Sequence, residues 1–296
     1  MPKLKSFVYS WLTLIFLASS LFAQDSLMVR KVGSIYNYWD WANAVVVVGN
    51  YAYVATGISG LRIVDISNPA QPRETGYYDT PGYAYDVAVA GSYAYVADGS
   101  SGLRVVDVSS PSTPREVGYY DTPGDVYDVA VAGSYAYVAD GRAGLSVVDV
   151  SSPSTPREVG YYDTPGDVYD VAVAGSYAYV ADGRAGLSVV DVSSPSTPRE
   201  VGYYDTPGWA FGVAVAGSYA YVADGDSGLR VVDVSSPSTP REVGYYDIPG
   251  DAYDVAVAGS YAYVLDWYSA GLRVVNVSSP STPREVGYYA TPGYAG

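Results

Sequence analysis

GLRVVDVSSPSTPREVGYYDTPGDVYDVAVAGSYAYVADGRA, residues 102–143, returns almost unchanged along a chain of 296 residues. Copies begin at Gly60, Gly102, Gly144, Gly186 and Gly228, a period of 42, and a sixth begins at Gly271 after a one-residue insertion. A repeat of this length marks a unit that cannot bury its own apolar surface and stacks on neighbours to do so, as in solenoids and propellers.

Turn residues divide the unit. Val129–Ala132 and Tyr135–Ala139 are apolar runs joined by Gly133-Ser134, a connection short enough for a tight hairpin. Asp140-Gly141 interrupts the second run and Leu145–Val150 forms a third. Ser-Ser-Pro-Ser-Thr-Pro then ends the ladder, because proline has no amide to donate. Arg157–Tyr162 is a fourth run. It closes on Thr164-Pro165-Gly166, which suits a type II turn with positive φ at the glycine. Each unit thus reads as four short antiparallel strands, A to D in chain order.

Both faces of these strands are apolar: Val87 and Val89 alternate with Ala88 and Ala90, and Tyr93 and Tyr95 with Ala94 and Val96. A sheet with one wet face would alternate apolar with polar, so each sheet needs a partner on both sides. Radial packing of four-stranded blades supplies two partners to every sheet. The expected fold is an all-β propeller of four-stranded antiparallel blades, six in number, with a truncated seven-bladed propeller as the alternative. Pro-Arg-Glu opens strand D in the later copies, which places that strand at the outer rim, where proline and charge discourage edge pairing. The repeated glutamates, Glu74, Glu116, Glu158, Glu200, Glu242 and Glu285, read as solvated edge charges.

At Leu103–Gly118, LRVVDVSSPSTPREVG, the unit resembles the LVIVD repeat, and LRIVDISNPAQP at Leu61–Pro72 is similar to that family's pattern. The resemblance runs over six repeats, from about Val32 onward. It implies a β-propeller of bacterial or archaeal secreted and surface proteins. It brings no catalytic residues with it.

The first 23 residues differ from everything after them. Lys3 and Lys5 form a basic start, Trp11–Phe22 an apolar core, and Leu21-Phe22-Ala23 a cleavage site before Gln24, the pattern of a signal peptide. The expected address is secreted or cell surface, with no membrane insertion after cleavage. Residues 24–43 read as an N-terminal segment holding a lone extra strand, with Val32-Gly33 and Tyr36 in the place of a strand D, and 44–296 as the propeller. The last residues stop at the threshold of another strand A, so a longer surface protein is also envisaged.

Composition limits the chemistry. The chain has no cysteine and no histidine, so nucleophile–histidine devices and histidine-held zinc are excluded. The formal charge of −15 grows more negative once Lys3 and Lys5 leave. It opposes nucleic acid and anionic membranes as partners and fits cationic partners better.

Differences between copies gather in the D–A and B–C loops, which emerge on one face of an up-and-down blade. All four tryptophans beyond the leader fall there. A recognition patch is expected from Trp39, Trp41, Trp209, Phe211, Trp267 and Tyr268, able to stack on a sugar or anchor a peptide. The alternative is that these rings plug the channel mouth or pad an imperfect closure. Asp86, Asp128, Asp170 and Asp254 open strand A, with Gly212 in blade 5 and Ala44 in blade 1 at that position. Their oxygens suit Ca²⁺, or solvation and local turn capping. Asp107 reads as the acceptor for the turn before Ser-Ser-Pro, and the tyrosines as blade filler. No other cofactor is expected. The chain is read as a monomeric, non-catalytic binding module for a protein or glycan ligand at the cell surface. A structural display or adhesion scaffold is the main alternative, and a carboxylate-dependent glycosidase or lyase a third.

Overall fold

The computed structural model describes residues 32, 39–267 and 271–290. The leader, the lone N-terminal strand and Tyr268 lie outside them. Among the described residues twenty-four strands form six sheets of four, each in the order A-B-C-D. Blade 1 comprises β1 (Ala44–Val48) to β4 (Arg73–Tyr78), and blade 3 β9 (Asp128–Ala132), β10 (Tyr135–Ala139), β11 (Leu145–Asp149) and β12 (Arg157–Tyr162). Blade 6 comprises β21 (Ala252–Ala258) to β24 (Arg284–Ala290). Strands A of successive blades, such as β5 (Asp86–Ala90) and β9, pack side by side and line the centre. The blades are arranged as a six-bladed propeller.

Local chemistry sets the elements. The A–B hairpin turns on two residues, with φ +60° at Gly133, a conformation glycine adopts without a Cβ penalty. Asp107 caps the C–D turn as expected, its Oδ1 accepting the Ser109 amide at 3.0 Å. The Ser109 hydroxyl and amide hold that carboxyl below its usual range. The D–A turn departs from expectation. Gly166 is not among the positive-φ glycines. Glycine is needed there because a Cβ would lie 2.2 Å from the Asp182 carbonyl, while its amide donates to Asp182 Oδ1 at 3.1 Å. The requirement is close approach rather than handedness.

Core residues sit between blades. Tyr95, Ala97, Leu103 and Val105 of blade 2 meet Val129, Ala136, Val138 and Val148 of blade 3, and the same set recurs at the joints on either side. Burying each valine or leucine of this set contributes roughly 1.5–3 kcal/mol, so one blade without neighbours loses most of its stabilisation.

Hydrogen bonds reinforce these joints, and they correct the reading of the rim glutamates as solvated edge charges. Tyr78 Oη donates to Glu116 at 3.1 Å, Tyr120 to Glu158 at 3.1 Å and Tyr162 to Glu200 at 3.3 Å. Tyr204 and Tyr246 do the same to Glu242 and Glu285. Each glutamate thus ties its blade to the preceding one. Each tyrosine hydroxyl is raised above its usual pKa, first by burial and then by the facing glutamate, Tyr120 to about 12.

Candidate binding face

The D–A and B–C loops build one face, held rigid by backbone pairing between blades. Gly57 pairs with Ala84, Gly99 with Val126, Gly141 with Val168, Gly183 with Ala210 and Gly225 with Ala252. Each of these glycines has φ between +50° and +57°, which lets the B–C loop bend onto the next blade.

An aromatic residue stands immediately before strand A in blades 2 to 5 and as its second residue in blade 6, and these rings touch in sequence around the mouth. Tyr85 and Tyr127 are 5.1 Å apart, Tyr127 and Tyr169 5.5 Å, Tyr169 and Phe211 5.2 Å, and Phe211 and Tyr253 5.4 Å. Tyr83 joins one end at 4.7 Å from Tyr85 and Trp267 the other at 4.8 Å from Tyr253. Trp209 lies against Phe211 at 6.1 Å, with the Arg184 guanidinium 4.6 Å above its ring.

Four aspartates follow these rings in sequence. Asp86 Oδ2 accepts the Val129 amide, Asp128 Oδ2 the Val171 amide and Asp170 Oδ2 the Val213 amide, at 3.2, 2.9 and 2.6 Å. These three carboxylates are therefore half-buried staples to the next blade rather than freely solvated groups. Asp254 instead accepts the amide of Val255, its own neighbour. All four carboxyls are raised in pKa, chiefly because the surrounding protein desolvates them. Mutual repulsion adds to this at Asp128, Asp170 and Asp254, and Asp170 reaches about 7. Gly212 carries no carboxyl because β21 crowds it, with Asp254 Cα 2.9 Å from where its Cβ would stand. Among the described residues no group of three or more carboxylates is disposed to hold a metal ion.

The structure divides the six expected patch residues. Trp209, Phe211 and Trp267 belong to one aromatic cluster, with Trp209 37% and Trp267 56% exposed. Trp41 is also exposed, and Tyr268 falls outside the described residues. Trp39 does not belong to an open patch. It is 7% exposed, packed on Ala52, Val54, Val64 and Ile66 of blade 1, and its Nε1 donates to Glu74 at 2.6 Å. It fills the position that a tyrosine of the preceding blade takes at the other joints. That is the padding alternative, realised at one residue.

The reading of tyrosines as filler missed Tyr85, Tyr127, Tyr169 and Tyr253. Their signal was present, an aromatic residue at the same repeat position in each of blades 2 to 6.

The sequence model for the LVIVD repeat matches residues 41–80, 81–122, 123–164, 165–206, 207–248 and 249–291. No curated protein sequence matches the chain. Among solved structures, a protein from Bacteroides uniformis assigned as a 6-phosphogluconolactonase superposes with a TM-score of 0.71 at 12% identity, covering 86% of this chain and 88% of that one. The β-propeller domain of Cps50 (Swd1) from Myceliophteria thermophila gives 0.69 at 12% identity, with 85% and 86% covered. The computationally designed protein Ika8 gives 0.67 at 8% identity, with 85% and 76% covered. At these identities the likeness concerns the fold alone.

Proposed function

This chain belongs to the LVIVD repeat family, and we propose that it is an exported, non-catalytic binding module whose D–A/B–C face docks a basic segment of a partner protein at the cell surface. The observation that carries this reading is the run of touching rings from Tyr83 to Trp267 around a mouth that leads to Asp86, Asp128, Asp170 and Asp254. Aromatic faces attract cations through their quadrupole, and desolvated carboxylates gain most from a positive charge nearby. A net-negative chain adds long-range attraction for the same partner. The apolar leader supports export, and among the described residues no helix is long and apolar enough to cross a membrane. A neutral sugar would stack on Trp209 and Trp267 but leave the carboxyls unmatched.

Tryptophan fluorescence of the protein titrated with a lysine-rich peptide, and separately with neutral oligosaccharides, tests this. The expected result is a saturable shift with the peptide, weakened at least tenfold by Trp267→Ala and by Asp170→Asn. No shift from folded protein would overturn the reading, and saturation by an oligosaccharide alone would move it to glycans.

A further inference from the structure

Blades 2, 5 and 6 share a device at the start of strand C. Arg104 places its guanidinium between buried Asp98 (3.8 Å), Glu116 (4.0 Å) and exposed Asp121 (3.4 Å), and over the Tyr119 ring at 4.7 Å. Arg230 repeats this with Asp224, Glu242, Asp247 and Tyr245, and Arg273 with Asp266, Glu285 and Tyr288. One cation satisfies several acids and a ring face.

Blades 3 and 4 keep the acids and the ring but carry Ser146 and Ser188 where the arginine stands. The register is unchanged, Ser146 opposite Tyr161 and Arg104 opposite Tyr119. Each serine reaches one acid where the arginine reaches several: Ser146 donates to Glu158 at 3.2 Å, leaving Asp140 untouched, and Ser188 donates to Asp182 at 3.4 Å. Tyr161 and Tyr203 are each 63% exposed, against 53% for Tyr119 and Tyr245 and 43% for Tyr288. Asp140 is fully buried, and its Oδ2 has no hydrogen-bond partner. Its Oδ1 accepts the Gly124 amide at 3.1 Å, and Thr122, whose counterparts Thr80 and Thr206 lie 2.5 Å from their aspartates, also donates to the Gly124 carbonyl. An unpartnered buried carboxylate oxygen is costly. The cation of the same B–C loop, Arg142, pairs with Asp167 at 3.8 Å.

We propose that blade 3 binds a guanidinium-type cation in the place the arginine side chain fills in blades 2, 5 and 6, held by Asp140, Glu158, Asp163 and the Tyr161 face, whereas in blade 4 Ser188 and the Gly166 amide already satisfy Asp182. A planar guanidinium suits the site because it stacks on a ring and donates in plane to carboxylates at once, which a spherical ammonium does not. The cation is either a free guanidinium compound or the arginine of a partner.

The test measures the melting temperature of the full chain in methylguanidinium chloride, with methylammonium chloride and sodium chloride at equal ionic strength as controls. Ligand that binds only the folded state raises the midpoint. Wild-type protein is expected to gain roughly 2–4 °C with methylguanidinium over the controls near saturation, with one site per chain by calorimetry. Ser146→Arg is expected to abolish both signals, and so is Asp140→Asn, which keeps the inference testable if the arginine disturbs folding. No rise in wild type, an equal rise with methylammonium, or an undiminished rise in the asparagine variant would each overturn it. Binding of a Gly-Arg-Gly peptide more than tenfold tighter than methylguanidinium would identify a partner's arginine as the source, and equal affinity a free ion.

Discussion

The joint between blades 2 and 3 and the entry into blade 1 solve one problem with different parts. Blades 2 and 3 meet through an apolar cluster, the Tyr120–Glu158 hydrogen bond, the Gly99–Val126 backbone pair and the Asp86 staple. The entering face of blade 1 is covered by the Trp39 indole, whose Nε1 does for Glu74 what Tyr120 does for Glu158. The far side of blade 6 is less enclosed. Leu265 is 36% exposed where Ala97, Ala139, Ala181 and Ala223 are fully buried. Repetition makes five joints alike, and the remaining one depends on residues outside the repeat. A load shared among many contacts tolerates loss of one, whereas a load on a single ring does not.

The largest test of that contrast is Trp39→Ala. It removes a buried ring together with its donor to Glu74 and is expected to cost about 3–5 kcal/mol, read by denaturant unfolding. Trp267→Ala, at a 56% exposed ring, is expected to stay within about 0.5 kcal/mol. Equal losses would break the comparison. At a regular joint, Tyr120→Phe keeps the ring and deletes one hydrogen bond to Glu158, so a loss of about 1–2 kcal/mol is expected, with the other joints intact.

A smaller effect follows from acidity. Asp140, Asp182 and Asp224 are buried where each B–C loop begins, and burial raises their pKa to about 6. Blade 1 has Thr56 at that position. A carboxyl whose folded pKa lies above its unfolded value takes up protons on folding, so its stabilising contribution is complete below about 3.8 and is lost as pH rises through about 6. The channel acids, raised in the same direction, add to this. The melting temperature is therefore expected to rise as pH falls from 7.5 to 5. Asp107, Asp149, Asp191 and Asp233, held low by their serine hydroxyls and amides, oppose that trend only nearer pH 3. A melting temperature that falls between pH 7.5 and 5 would refute the assignment of buried acids to the joints.

The blades were legible before any coordinates. Strand limits such as Tyr135–Ala139 and Arg157–Tyr162 coincide with the observed ones, because apolar alternation, the Gly-Ser hairpin and the prolines act within a few residues of themselves. The candidate site was legible in part. Tryptophan placement found the aromatic sector around Trp209 and Trp267, since rare residues stand out from a repeat. The tyrosines beside them were hidden by their own regularity, and Trp39 was misplaced because burial cannot be read from a lone indole at a repeat boundary.

Taken alone, the chain's sequence determined the number of units, their four strands and the absence of histidine and cysteine chemistry, all consequences of local pattern and composition. Tertiary structure decided which side chains meet. Tyr120 finds Glu158, 38 residues away, Asp86 finds the Val129 amide, and Gly166 makes room for Asp182. The physical reason is that these contacts depend on how one blade is rotated and seated against the next, a rigid-body relation to which every residue of both blades contributes and which no short stretch encodes.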